Sequence, residues 1–233
     1  MNLALISFNY GFEVKNISDE GRRLLLIGSV AHRILAGDLV FGVGTKGIPI
    51  PGPSEAPCRI VGTRGPITTE SFSRAGHDLS ELEFEFDPGL LIAKLLGKPE
   101  VVTANRVIFI PHYRDRAIRA SRRKSLQVVD VDSDPVNLAR QIGQSELVYT
   151  SSLHGLIFAH ALGRPAVLVR PSTDEPLIKY QDYFASIGEP WRAPFDLSGA
   201  LRKRAPESPV TLPESVSSLR MPTVLELQSA GVV

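Results

Sequence analysis

The run Tyr149-Thr150-Ser151-Ser152-Leu153-His154-Gly155 holds the most usable chemistry in the chain. An apolar stretch ends there, two serines offer helix caps, and a histidine falls in the first turn of the helix that follows. Free backbone N–H groups and the helix dipole make such an end attractive to an anion. The dipole biases a histidine there toward its neutral form, and a bound phosphate biases it toward the charged form. His154 therefore suits general acid work, with Ser151, Ser152, Leu153 and Gly155 as the substrate-binding turn around it. A histidine that only caps the helix fits the same spacing, and one such residue does not separate the two readings.

Other candidates lie at the ends of apolar runs. Gly42-Val43-Gly44-Thr45 would let a ligand approach the backbone, but it lacks the third glycine of the dinucleotide fingerprint and also reads as a plain turn. Arg64, in Arg64-Gly65-Pro66, presents a planar fork that matches either a ligand carboxylate or phosphate, or a structural ion pair. His112 and Arg114 follow another apolar run and are placed for an anionic ligand. The cations beyond them (Arg116, Arg119, Arg122, Arg123, Lys124) read as a solvated helix face, a basic rim able to attract a lipid-diphosphate carrier or anionic headgroups. Asp130, Asp132 and Asp134 alternate, but the calcium-loop template needs glycine and glutamate where Pro135 and Gln141 stand, so no metal site is expected. Asp134 is better explained as a helix cap, and His160 as a core histidine.

These residues need elements to hold them. Leu24 to Ile27, Leu39 to Val43, Ile60 to Val61, Val107 to Ile110, Val128 to Val131, Leu147 to Tyr149 and Ala166 to Val169 read as strands. Their hydrophobicity is continuous rather than alternating, which predicts a parallel sheet covered on both faces. Pro135 to Ile142 and Leu153 to Leu162 read as helices, the second stopped by Gly163 with Pro165 beyond. Val30 to Leu35 and Val216 to Leu227 are shorter helical candidates, and Pro206 to Pro213 reads as a surface crossing. Strand, helix, strand, helix, strand from Val107 to Val169 is a βαβ series. Gly97-Lys98-Pro99-Glu100 reads as a linker. It divides an α/β lobe (1–97) from a Rossmann-like lobe (98–205) and a closing segment (206–233).

Composition narrows the classes. With 233 residues, 43% hydrophobic and 22% charged, the chain has enough apolar content for a sizeable core. A net charge of +1 argues against a dedicated nucleic-acid binder. Cys58 is the sole cysteine, which excludes an internal disulfide and a cysteine-rich zinc site and fits a reducing cytoplasm. No run of about 18 apolar residues exists and the first residues make a poor signal peptide. Any membrane contact is expected to be peripheral, at the inner face. Oligomeric state is not legible.

Taken together, Ser151-Ser152-Leu153-His154-Gly155 and Ala159-His160-Ala161-Leu162-Gly163-Arg164-Pro165 resemble the hallmark of the polysaccharide pyruvyltransferase family. Supporting pieces stand in family order: Phe41 to Thr45, Val61 to Pro66, Asp87-Pro88-Gly89-Leu90-Leu91, Pro111-His112-Tyr113 and Lys179-Tyr180-Gln181-Asp182-Tyr183. The set resembles the exopolysaccharide branch, which decorates succinoglycan-type glycans. The resemblance implies two Rossmann-like lobes like those of GT-B glycosyltransferases, the first on the acceptor side and the second on the donor side. It implies phosphoenolpyruvate as co-substrate, no other cofactor and no metal, and a sugar of an exopolysaccharide or its lipid-linked precursor as acceptor. The product is a cyclic pyruvate ketal. On this reading His154 is the general acid, Arg64 and Arg114 are anion clamps, and Lys179 joins the substrate-binding set. The family opens with a longer βα unit than Ser7-Phe8-Asn9-Tyr10-Gly11 can supply, so the first lobe is expected to be abbreviated.

Two other functions fit parts of the pattern. A sugar-nucleotide glycosyltransferase would need a carboxylate to grip a ribose, for which Asp174 and Glu175 are the candidates. A catalytically silent glycan-binding relative would fit the short opening segment.

Overall fold

A computed structural model describes residues 2–11, 22–115, 126–203 and 208–233. The basic run Arg116 to Lys124 and part of the expected crossing at Pro206 lie outside the described residues. In chain order the elements are α1 (Asn2–Tyr10), β1 (Leu24–Leu25), β2 (Leu39–Phe41), β3 (Arg59–Thr63), α2 (Pro66–Arg74), β4 (Phe84–Glu85), α3 (Ile92–Leu96), β5 (Val107–Ile110), β6 (Leu126–Val128), α4 (Pro135–Gly143), β7 (Leu147–Thr150), α5 (Leu153–Ala161), β8 (Ala166–Leu168), α6 (Ile178–Ser186), α7 (Leu197–Arg202) and α8 (Val224–Ser229). They form an α/β protein with two four-stranded sheets, ordered β1-β2-β3-β4 and β6-β5-β7-β8, every strand pair parallel. Among the described residues, no helix is long and apolar enough to cross a membrane.

The chain divides into two compact units. The first comprises Asn2–Pro88, Pro176–Trp191 and Pro213–Val233; the second comprises Gly89–Glu175 and Arg192–Leu212. In the first, Leu39, Val40 and Phe41 are all buried, and Val40, Ile60 and Phe72 pack with Ala31, Ile34, Val43 and Ala56. In the second, Phe109, Leu126 and Tyr149 pack with Val169 and Ala200. Strands whose successive residues are all buried are covered on both faces, which is why their sequences show no alternation.

Several local signals act as read. Asp134 caps α4, its carboxylate accepting from the Val136 and Asn137 amides. Ser152 caps α5 through the Gly155 amide at 3.4 Å. His160 is buried, and desolvation lowers its pKa to about 4. Three readings change. The strand expected over Val128 to Val131 lies at Leu126–Val128, because Asp130 is spent in a turn where its side chain accepts from the Asp132 amide. The helix expected over Val216 to Leu227 is broken into a 3₁₀ turn at Glu214–Ser218 and α8, with Pro222 between them. Proline removes a donor and disfavours helical backbone before it. The helix expected over Val30 to Leu35 is one 3₁₀ turn, Ala31–Arg33.

Candidate functional site

In a parallel sheet, ligands bind beyond the carboxyl ends of the strands. In the second unit, that end gathers the loops after β5, β7 and β8. Beyond β5 come His112, Arg114 and Asp115; beyond β7 come Ser151, Ser152 and the first turn of α5; beyond β8 come Ser172 and Glu175.

The β7–α5 turn is built around a close approach. A Cβ on Gly155 would stand 2.5 Å from Thr150 Oγ1, so only glycine allows the helix to start this near the strand. Thr150 Oγ1 accepts from the Ser152 amide at 3.0 Å and fixes the turn. Leu153 is buried, whereas His154 is half-buried, its ring 6.3 Å from that of Phe158. Ser151 does not cap the helix. Its hydroxyl accepts from the His112 amide at 2.7 Å and donates to Asp115 Oδ2 at 3.1 Å.

His112 and Arg114 share a carboxylate. Glu175 Oε2 lies 3.6 Å from His112 Nε2 and Glu175 Oε1 3.0 Å from Arg114 Nη1. His112 and Glu175 are buried while the Arg114 side chain is 54% exposed, so its fork remains open to water. Tyr113 lies between them in sequence, its ring 4.5 Å from that of His112, with the Arg114 guanidinium 5.4 Å from the Tyr113 centroid. This end of the sheet can bind an anion at Arg114 and exchange a proton at His154.

The first unit holds Gly42, Gly44, Thr45, Arg64 and Lys179. Arg64 is 0% exposed at the end of β3. Its Nε donates to Asp182 Oδ2 at 3.0 Å, Nη1 to Ser29 Oγ at 2.7 Å and Nη2 to the Thr45 carbonyl at 2.5 Å. Asp182 also accepts from the Thr68 amide and hydroxyl. Of the two roles left open for Arg64, this geometry is that of a buried ion pair. The glycines make room for it: a Cβ on Gly44 would fall 1.9 Å from Arg64 Cζ, and one on Gly65 would fall 2.3 Å from the Asp182 carbonyl oxygen. Gly42 has φ +128°, outside the extended region, where β2 has ended at Phe41, and a Cβ there would strike Pro88. Lys179 is buried in α6, its ammonium 5.0 Å from the Tyr180 ring centroid.

Three charged partners of these side chains are not assigned that part by the sequence alone. Asp182 sits inside the Lys179 to Tyr183 motif with its charge unassigned, and Asp115 is hidden in a run of cations. Glu175 reads from sequence as a ribose ligand, whereas here it pairs with His112 and Arg114. No group of three or more histidine, cysteine or carboxylate side chains arranged to hold a metal occurs among the described residues.

Fold and site together define a parallel α/β protein with a histidine-bearing helix start and a basic strand-end loop in one unit. The polysaccharide pyruvyl transferase family model matches residues 34–173, and the chain belongs to that family. It is similar to the succinoglycan biosynthesis protein ExoV of Rhizobium meliloti (strain 1021), at 30% identity over 176 residues, 72% of this chain and 51% of that protein. It is also similar to the uncharacterized protein L143 of Acanthamoeba polyphaga mimivirus, at 33% identity over 147 residues, 56% of this chain and 48% of that protein. The chain thus spans about half the length of the curated relatives it matches. No solved structure matches it.

Proposed function

We propose that this protein transfers the pyruvyl group of phosphoenolpyruvate onto two hydroxyls of one sugar in an exopolysaccharide or its lipid-linked precursor, forming a cyclic ketal. The observation that carries the reading is the meeting of His112, Arg114 and the His154 turn at the carboxyl ends of adjacent strands, inside the stretch the family model matches.

The chemistry needs a proton donor and cations. His154 delivers a proton to the enol methylene carbon, which becomes the ketal methyl group and leaves a cationic centre on the neighbouring carbon. A sugar hydroxyl attacks that carbon, and its proton returns to His154. The C–O bond to phosphate then breaks, phosphate departs with its electron pair, and the second hydroxyl closes the ring as its proton passes to that phosphate. Arg114 and His112 neutralise the donor's carboxylate or phosphate, and the half-exposed fork of Arg114 suits a planar, bidentate contact. Arg64 acts in this scheme by shaping the Gly44-Thr45 turn, to which its guanidinium is bound.

The test is phosphate release from phosphoenolpyruvate in the presence of exopolysaccharide fragments. Wild type should release phosphate only when acceptor is added, and His154→Ala should lose about 10²–10⁴-fold in rate. Acceptor-dependent release that survives in His154→Ala removes the histidine from the chemistry. Absence of release and of phosphoenolpyruvate binding in wild type refutes pyruvyl transfer.

A further inference from the structure

We propose that Asp115 is a positioning residue for the anion site, a latch that ties together the loops after β5, β7 and β8, which carry His112 and Arg114, the His154 turn, and Glu175; its role in turnover rests on the pyruvyl-transfer reading. Asp115 closes the turn after β5, its amide donating to the His112 carbonyl at 2.7 Å. Its carboxylate is 2% exposed. It accepts from the Ser151 hydroxyl at 3.1 Å, after β7. It also accepts from Ser172, after β8: the amide at 3.1 and 3.2 Å to its two oxygens, and the hydroxyl at 2.6 Å. One buried side chain thus spans the ends of three adjacent strands.

Both flanks of the anion site hang from this latch. On one side Ser151, held by Asp115, accepts from the His112 amide and so fixes the backbone that carries the imidazole. On the other, Ser172 leads three residues on to Glu175, whose carboxylate meets His112 and Arg114. A carboxylate offers acceptors on both oxygens, and the contacts to Ser151 and Ser172 use both. Asparagine has the same shape but replaces one acceptor oxygen with a donor. With its oxygen toward Ser172 it turns an NH2 to the Ser151 hydroxyl that donates there, and with the amide reversed it loses the Ser172 hydroxyl, so either orientation breaks one arm of the latch. Asp115→Asn therefore loosens one of the loops after β7 and β8 without removing any group that would touch the substrate.

The experiment compares wild type, Asp115→Asn and Ser172→Ala by steady-state kinetics with phosphoenolpyruvate and by amide hydrogen exchange. The expected result for Asp115→Asn is a KM for phosphoenolpyruvate raised about 10-fold or more with kcat within about 3-fold, because ground-state binding and not the proton transfer is disturbed. Exchange at the Ser172 amide or at the His112 amide, according to the arm that is broken, should quicken about 10-fold or more in the same variant. Ser172→Ala should shift KM in the same direction by less, and it reads the latch if Asp115→Asn does not fold. A wild-type KM in the variants, or a fall in stability with KM unchanged, overturns the proposal. If wild type itself turns over no phosphoenolpyruvate, the pyruvyl reading fails. The latch then rests on exchange at Ser172 and His112 and on affinity for inorganic phosphate, and wild-type values of all three in the variants overturn it.

Discussion

The carboxyl ends of the two sheets start from similar material and end differently. In the first unit, Arg64 follows β3 and is fully enclosed, each nitrogen of its guanidinium donating to Asp182, Ser29 or Thr45. In the second, Arg114 follows β5 and keeps more than half of its side chain in water, with one carboxylate at 3.0 Å. Both follow short, buried, parallel strands, so strand-end placement does not decide the outcome. Neighbouring glycines do. Gly44 and Gly65 leave space that the Arg64–Asp182 pair fills, whereas Arg114 has Tyr113 beside it and no glycine between Gly97 and Gly143 in the sequence. An arginine sealed this way is part of the architecture, and one half out is available to a ligand.

The contrast can be broken most forcefully at Asp182. Removing one partner of a buried pair costs about 3–5 kcal/mol, so Asp182→Ala should lower unfolding free energy by that amount in urea titrations. A loss under about 1 kcal/mol would make the pair no more structural than a surface bridge. The second largest effect tests whether the openness of the second unit is confined to the first turn of α5. His160, two turns on, is buried and its pKa is lowered to about 4 by desolvation. The unfolded chain, with a histidine pKa near 6.5, binds the proton first as pH falls. Stability is therefore undiminished above about pH 6.5 and declines by up to about 3 kcal/mol as pH drops toward 4. Urea midpoints at pH 7 and pH 4.5 should show this slope in wild type and a shallower one in His160→Leu.

Gly44→Ala comes next. Its new methyl would overlap the Arg64 guanidinium, and overpacking of this kind costs about 1–3 kcal/mol, readable as a lowered thermal midpoint. Arg114→Ala should change stability least, by less than about 1 kcal/mol, while weakening phosphoenolpyruvate binding measured by calorimetry. A large stability loss there would erase the distinction between the two arginines.

Residue types and spacing announced much of this. Continuous apolar runs marked parallel strands because both faces are covered, and Asp134-Pro135 and Ser152 marked helix starts because capping is local chemistry. Short strands bounded by turns hid their limits, so β6 was read two residues late, at Val128 rather than Leu126. Helices α1, α2, α3, α6 and α7 went unread. Residues 2–10 and 178–186 carry little periodic contrast, and the buried face of α6 includes Lys179 and Asp182, which a hydrophobicity pattern counts as surface. The strand-end histidines were legible from spacing. Their supports were not, because Asp115 reaches Ser172 across 57 positions and Arg64 reaches Asp182 across 118. Such pairings exist only once the chain has folded back.

That last separation has a consequence for the order in which the protein is made. At about 5–20 residues per second, Asp182 leaves the ribosome roughly 6–24 s after Arg64. During that interval the nascent first sheet has its strands but lacks the carboxylate that neutralises its innermost cation. Synthesis must pass through β5 to β8 before the first unit can close. The earliest-made sheet is thus the one that completes late, and a pause in translation shortly before Asp182 would prolong the period in which its centre stays wet.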